Sequence, residues 1–269
     1  MTVVETNPEV ESGLSARRGI ILIFVFLAAV MAAGITAIYY FSANERAREV
    51  QLWQTRLGII ADTRAAAVDE WLRRQVQELS GLADNASLQI YLMQIIAPVP
   101  VGSPLPDRQA DDQARGGYLS NLLELVAHRS GFSVAPIGPA IDANVRRVGV
   151  AGISLVTIDG RVVAASPNSP PVEGPLAEFL ADAPRGEPAI KDVYLDQTGA
   201  PAMAFAVPLY AIQGGTAATS QIGWVLGVKQ VAVELYPLLR QPGSVWPSAE
   251  ILLVRKNGNM IEYLSPTQE

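Results

Sequence analysis

The chain has 269 residues, 49% apolar and 17% charged, with a formal net charge of -6 and no cysteine. This is enough for one ordinary domain with extensions. The acidic balance argues against a nucleic-acid partner, whose affinity rests on Lys and Arg releasing condensed counterions, and the lack of cysteine removes disulfide frameworks, thiolate metal sites and cysteine nucleophiles.

The first element is a membrane segment. "GIILIFVFLAAVMAAGITAIYYF", Gly19 to Phe41, follows an 18-residue tail, and no ionisable acid or base lies between Arg18 and Glu45. A helix of that length spans the roughly 30 Å hydrocarbon core of a bilayer. Tyr39 and Tyr40 suit an interfacial belt and Arg17-Arg18 a cytoplasmic anchor, which puts residues 1–18 inside and the remainder outside. Arg46, Arg48 and Arg56 just past the far end weaken the charge rule. A cleaved signal peptide is the alternative, and the apolar run is too long for it. The chain is thus expected in the inner membrane, single-pass, with its bulk in the periplasm.

From Glu45 to about Ala83 the apolar spacing is helical. Val50, Trp53, Leu57 and Ile60 fall at steps of three and four, suiting a parallel dimer seam. Ala67 and Trp71 follow, and then the stripe moves to Val68, Leu72, Val76, Leu79 and Leu82. "PVPVGSPLPDRQADDQARGG", 98–117, reads as a loop, and "YLSNLLELVAHRSGF" as a helix stopped at Gly131. Residues 133–150 have no clear period.

Strands come next. Ile153–Ile158 and Arg161–Ser166 pair around Asp159-Gly160, residues that tolerate the positive φ of a tight turn. A short helix, "PLAEFLADA", precedes three more strands, "PAIKDVYLD", "APAMAFAVPLYA" and "QIGWVLGVK", the last two joined by a loop over 212–220, and "VAVELYPLLR" closes as a helix. The expected fold is α+β, a five-stranded antiparallel sheet with helices on one face. "EILLVRKNGNMIEYLSP", 250–266, echoes the first hairpin in form, down to the closing Ser-Pro, and reads as the start of a second, incomplete sheet.

In this order behind a membrane helix, "LVTIDGRVVAAS", "IKDVYLDQTGAPAMAFAVPLY" and "IGWVLGVKQV" resemble the double Cache family, the PAS-like sensor domains of bacterial transmembrane receptors. The resemblance implies a membrane-distal sensor module with its stalk helix at 45–240 and the start of a membrane-proximal module at 250–269. It also implies a parent receptor with a histidine kinase, diguanylate cyclase or chemotaxis output, of which this chain is a fragment. An anchored sensor without an output is the other reading.

The amino-acid-binding branch of that family carries an Arg-x-Trp-Tyr element, absent here, and a ligand-binding Asp where this chain has Lys229. A cation there repels an ammonium and attracts an anion, so the implied ligand is a small organic carboxylate held by Lys229 with Tyr194, Asp196 and Tyr210. The alternative is a solvated Lys229 in a dimerisation or docking module without a ligand.

No enzyme and no cofactor are expected. His128 is the only histidine, placed where it suits a helix C-terminus, and no G-x-S-x-G or phosphate-loop motif occurs. Asp111-Asp112 reads as a solvated loop pair, Trp53 and Trp71 as stalk packing, and Trp224 as facing core or pocket.

Overall fold

The computed structural model describes residues 9–97, 105–134, 149–212, 220–240 and 250–267. The tail up to residue 8, most of 133–150 and nearly all of the 212–220 loop lie outside them. The chain divides into two compact units, Met1–Asp62 and Thr63–Glu269.

Helix α1, Glu9–Ala83, contributes to both units. In the first, every residue from Leu22 to Ser42 is exposed, and this is a helix long and apolar enough to cross a membrane. In the second, its buried side is Trp71, Gln75, Leu79, Leu82 and Ala83, with Val68, Leu72 and Val76 half-buried beside them. Asn85 then starts α2, Ala86–Ile96, by accepting the Leu88 N–H at 3.1 Å, an N-cap that frees the chain to turn. Helix α3 runs Leu105–Arg129.

Residues 105–117 are therefore helical and not the loop their composition suggested. Pro106 suits a first helical turn, the stretch is rich in Gln, Ala and Arg, and Arg115 reaches Asp111 and Asp112 at 3.4 and 3.0 Å, the one-turn spacing that supports a solvent-facing helix. Asp111 and Asp112 are thus helix-face partners of Arg115.

The sheet contains β1 (Gly152–Thr157), β2 (Val162–Ala165), β3 (Ala189–Leu195), β4 (Pro201–Tyr210) and β5 (Gln221–Gln230), in the order β2-β1-β5-β4-β3, every pair antiparallel. The β1–β2 turn has a three-residue loop, Ile158-Asp159-Gly160. The Gly160 N–H meets the Thr157 carbonyl, Gly160 has φ 87°, and Thr157 N–H donates to the Arg161 carbonyl. The β3–β4 turn repeats this with Gly199 at φ 80° and Asp196 in the place of Thr157. Both are a turn closed by a left-handed glycine.

The sheet is covered on both sides, which corrects the expectation of helices on one face. Alternate residues of the central strands go opposite ways. Ile153, Leu155, Met203, Phe205, Val207, Leu209 and Val225 pack with Trp71, Leu79, Leu119 and Leu123 of the long helices, with Phe132 just past the end of α3, and with Val231 and Leu235 of α5 (Val231–Leu239). Val156, Ala202, Ala204, Ala206, Trp224, Leu226 and Val228 pack with Leu176 and Leu180 of α4, Pro175–Asp182. Trp224 is thus core on the α4 side.

Hairpin β6–β7, Val254–Asn257 and Met260–Tyr263, turns through Gly258-Asn259 with Gly258 at φ 61°. The echo read in the sequence has a structural counterpart. Ser166 Oγ accepts the Ile153 N–H at 2.9 Å in the first hairpin, and Ser265 Oγ accepts the Leu253 N–H at 3.0 Å in the second.

Gly227 sets how closely the α1 layer approaches: a Cβ there meets Phe132 Cε1 at 2.6 Å and Leu79 Cδ1 at 2.8 Å. Gly227→Ala should destabilise by about 1–3 kcal/mol through overpacking, whereas Gly117→Ala, in open space within α3, should stabilise by about 0.5–1 kcal/mol. Chemical denaturation of the full chain in detergent reads both.

Candidate functional site

Lys229 is the most informative of the residues singled out by sequence. It lies on the α1 side of β5, two residues past Gly227, and its side chain is 3% exposed. An ammonium carries three donors and tolerates such burial only when all are taken. Here Nζ donates to Gln75 Oε1 at 2.9 Å, to the Ser130 carbonyl at 2.9 Å and to Glu234 Oε2 at 2.7 Å. The rings of Phe132 and Trp71 lie 4.9 and 5.9 Å from it, within reach of a cation–π attraction.

Each partner is delivered by a different element. Gln75 comes from the middle of the buried stripe of α1. The Ser130 carbonyl is exposed by the way α3 ends: Gly131 adopts φ 71° and the Phe132 N–H bonds back to the Ala127 carbonyl at 2.8 Å, the arrangement that closes a helix with a left-handed glycine. Lys229 therefore meets a carbonyl left over at a helix end, where a cation also matches the dipole. Glu234 sits in the first turn of α5, and its Oε2 additionally accepts Trp71 Nε1–H at 3.0 Å. Ser130 Oγ donates to Glu78 Oε2 at 3.2 Å, extending the network along α1. Burial pushes the Lys229 ammonium below the ordinary lysine pKa, opposed by the hydrogen bond and charge of Glu234 and the charge of Glu78 and reinforced by Arg74.

The four residues proposed from sequence are not brought together. Tyr194 lies against the α4-side core, on the opposite face of the sheet from Lys229. Its hydroxyl is held above the usual tyrosine range by burial and then by the charge of Asp196. Asp196 serves the β3–β4 turn: Oδ1 accepts from the Thr198 and Ala200 N–H groups at 2.7 and 3.0 Å and from the Thr198 hydroxyl. Tyr210 is at the far end of β4, its hydroxyl donating to the Gly186 carbonyl at 2.9 Å. An irregularity in β3 between Lys191 and Tyr194 brings both to one side, with Lys191 Nζ 5.5 Å from the Tyr194 ring and 5.9 Å from the Phe179 ring.

The partners of Lys229 were not foreseen. The signal for Gln75 was present, a polar residue centred in an apolar helical stripe, which needs a buried partner. Gly131 was legible as a helix stop, but nothing in the sequence joined Ser130, 99 residues from Lys229, or Glu234, five residues past it, to the lysine. Among the described residues no group of three or more His, Asp or Glu side chains could hold a metal ion.

No protein-family model matches the chain, and no curated protein matches it. Among solved structures the chain is similar to the crystal structure of the E. coli DcuS sensor domain, at 15% identity and a TM-score of 0.38, over 66% of this chain and 98% of that one. A likeness at that level transfers neither a residue role nor a ligand.

Lys229→Met strands Gln75, the Ser130 carbonyl and Glu234 together, and should cost roughly 2–3 kcal/mol. Because the folded lysine titrates below its ordinary 10.5, the unfolded chain holds more protons between the two values, and this group's contribution to stability rises with pH there. The denaturation midpoint of the native chain should therefore gain on that of Lys229→Met as pH rises toward 10.5. A pH-independent gap contradicts the assignment.

Proposed function

We propose that the chain is the extracytoplasmic sensing region of a membrane-anchored signal-transduction receptor. It binds a small ligand on the α4 side of the sheet and passes occupancy to the membrane through α1, without catalysis in this region. The observation that carries this reading is the two-sided role of β5. Trp224, Leu226 and Val228 face the α4 layer, while Gly227 presses against Leu79 of α1 and Lys229 grips Gln75 one turn earlier on the same helix. A displacement of β5 by a ligand on one side acts on α1 from the other.

The α4 side also offers the chemistry expected of the ligand. Lys191 and Tyr194 are half-buried beside Phe179, a cation and a hydroxyl next to an aromatic ring, which suits a small organic carboxylate. In this reading Lys229 is the fixed end of the linkage, Asp196 and Tyr210 hold the ends of β4, and the carboxylate goes to Lys191 and Tyr194. The apolar line Val50, Trp53, Leu57 and Ile60 on α1 supports a homodimer through that helix. The likeness to the double Cache family noted from sequence agrees with this reading; a dimerisation module without a ligand is the alternative.

The test uses the absence of native cysteine. A single cysteine at the exposed Thr198, in the β3–β4 turn, should react in intact spheroplasts with a membrane-impermeant maleimide; reaction only after lysis inverts the topology and removes the proposal. With the cysteine at Leu57 instead, the yield of disulfide-linked dimer should change on addition of a bound carboxylate, and the change should disappear in Lys191→Gln. A yield that ignores every ligand that binds leaves the docking alternative in place.

A further inference from the structure

The last turns of α1 and the C-terminal half of α3 leave an open groove of about 620 Å³ between them, with Arg74, Glu78 and Leu82 on the α1 wall and Leu122, Leu125, Val126 and Arg129 on the α3 wall. It adjoins the long-helix layer, whereas Lys191 and Tyr194 stand on the α4 side of the sheet. The volume falls within the range of small-molecule sites, roughly 300–1,000 Å³.

The groove is amphipathic in a directed way. Its floor is apolar: Leu82 and Val126 are buried, Leu122 is half-buried, and Leu125 is 68% exposed on α3 with nothing described covering it. Its charges are two arginines and one glutamate. Arg73, the neighbour of Arg74, is engaged by both Asp69 and Glu70, at 2.8 and 3.1 Å. Arg74 and Arg129 pair with no carboxylate among the described residues, while the single acid, Glu78, accepts the Ser130 hydroxyl. In a chain of net charge -6, two guanidiniums outside any ion pair among the described residues, against one carboxylate and above an apolar floor, select a ligand that is anionic at one end and apolar at the other. A planar fork of donors suits a carboxylate in particular.

We infer that this groove is a second binding site, distinct from the α4 side, for a small carboxylate with an apolar body: Arg74 and Arg129 take the carboxylate, and Leu122, Leu125 and Val126 take the body. One wall of the site is α1 itself. Through Glu78 and Ser130 it touches the same carbonyl-bearing turn that receives Lys229, so an occupant acts on that network from the solvent side. The binding does not depend on the sensor reading above and is measurable without it.

The probe is phenylacetate, titrated calorimetrically into the full chain in lipid nanodiscs, with empty nanodiscs as reference. Saturable binding is expected. The neutral isostere phenylacetamide and the body-less acetate should each bind at least about tenfold more weakly, because loss of one charged hydrogen bond or of one buried ring is worth that much. Arg74→Gln and Arg129→Gln should each weaken phenylacetate about tenfold, Leu125→Asn should weaken it while keeping the preference over acetamide-type neutrality, and Lys191→Gln should leave it unchanged. Unaltered thermal transitions of the variants establish that they fold. Absence of binding, equal binding of phenylacetamide, or loss in Lys191→Gln with the arginine variants unaffected overturns the site. The last outcome would assign the carboxylate to the α4 side instead and leave the sensor reading standing.

Discussion

An ammonium inside a protein constrains everything around it. Each of the three N–H donors of Lys229 requires an acceptor at hydrogen-bond distance, and the desolvation of a charge is too costly for any to be missing. The acceptors come from α1, from the end of α3 and from the start of α5, so three helices and a central strand must reach their positions together. Close packing of Leu79 on Gly227 already seats α1 on the sheet. The lysine adds a polar register to that fit, because Gln75 and Trp71, one helical turn apart, are tied to Nζ and to the carboxylate that neutralises it.

Small residues make that arrangement possible. Gly227 lets Leu79 and Phe132 come down onto the β5 backbone, which lowers α1 far enough for Gln75 to reach Lys229. Gly131 supplies the left-handed turn that aims the Ser130 carbonyl, and the space a side chain there would fill is taken by Glu234 Oε1 and Lys229 Nζ. On the opposite face, Ala202, Ala204 and Ala206 give a shallow surface to α4. Where β4 carries a proline, Pro208, it lies beyond the last β3 pairing at Ala206, so its missing N–H costs no ladder bond.

Much of this was legible, and the misses have definite causes. The strands, the Asp159-Gly160 hairpin and the membrane-length helix follow from period and turn chemistry, which are local. The second layer over the sheet could have been inferred: "AMAFAVPL" and "GWVLGV" are apolar at nearly every position, the mark of strands buried on both faces, yet they were given helices on one face. Over 105–117 the content of Pro, Gly and Asp reads as a loop, while the one-turn spacing of Asp111 and Asp112 from Arg115 that supports a helix is a weaker signal. The site is a different case. Lys229 was singled out by a positional analogy and assigned to a ligand, but whether a lysine points to solvent, to a ligand or into a core depends on Gln75, Ser130 and Glu234, residues 154, 99 and 5 positions away in the chain. Only the fold sets that. The Ser-Pro echo is an instructive exception, where a sequence likeness of two hairpins corresponded to a shared hydrogen bond.

The electrostatics of the network bear on how a displacement of β5 could be transmitted. A buried charge with a complete set of partners does not yield gradually, since losing one acceptor exposes the whole desolvation cost. The Glu234 side chain has partial access to solvent, at 35% exposure, so it is a point at which water can replace a protein partner. In the proposed sensor reading the network would favour two arrangements, the observed one with all three acceptors in place and one opened at Glu234, over any intermediate. A ligand moves the balance between them only by the difference in its affinity for each. Under the proposed sensor function, what reaches α1 is a change in the populations of two states, bounded in size by how differently the ligand contacts each.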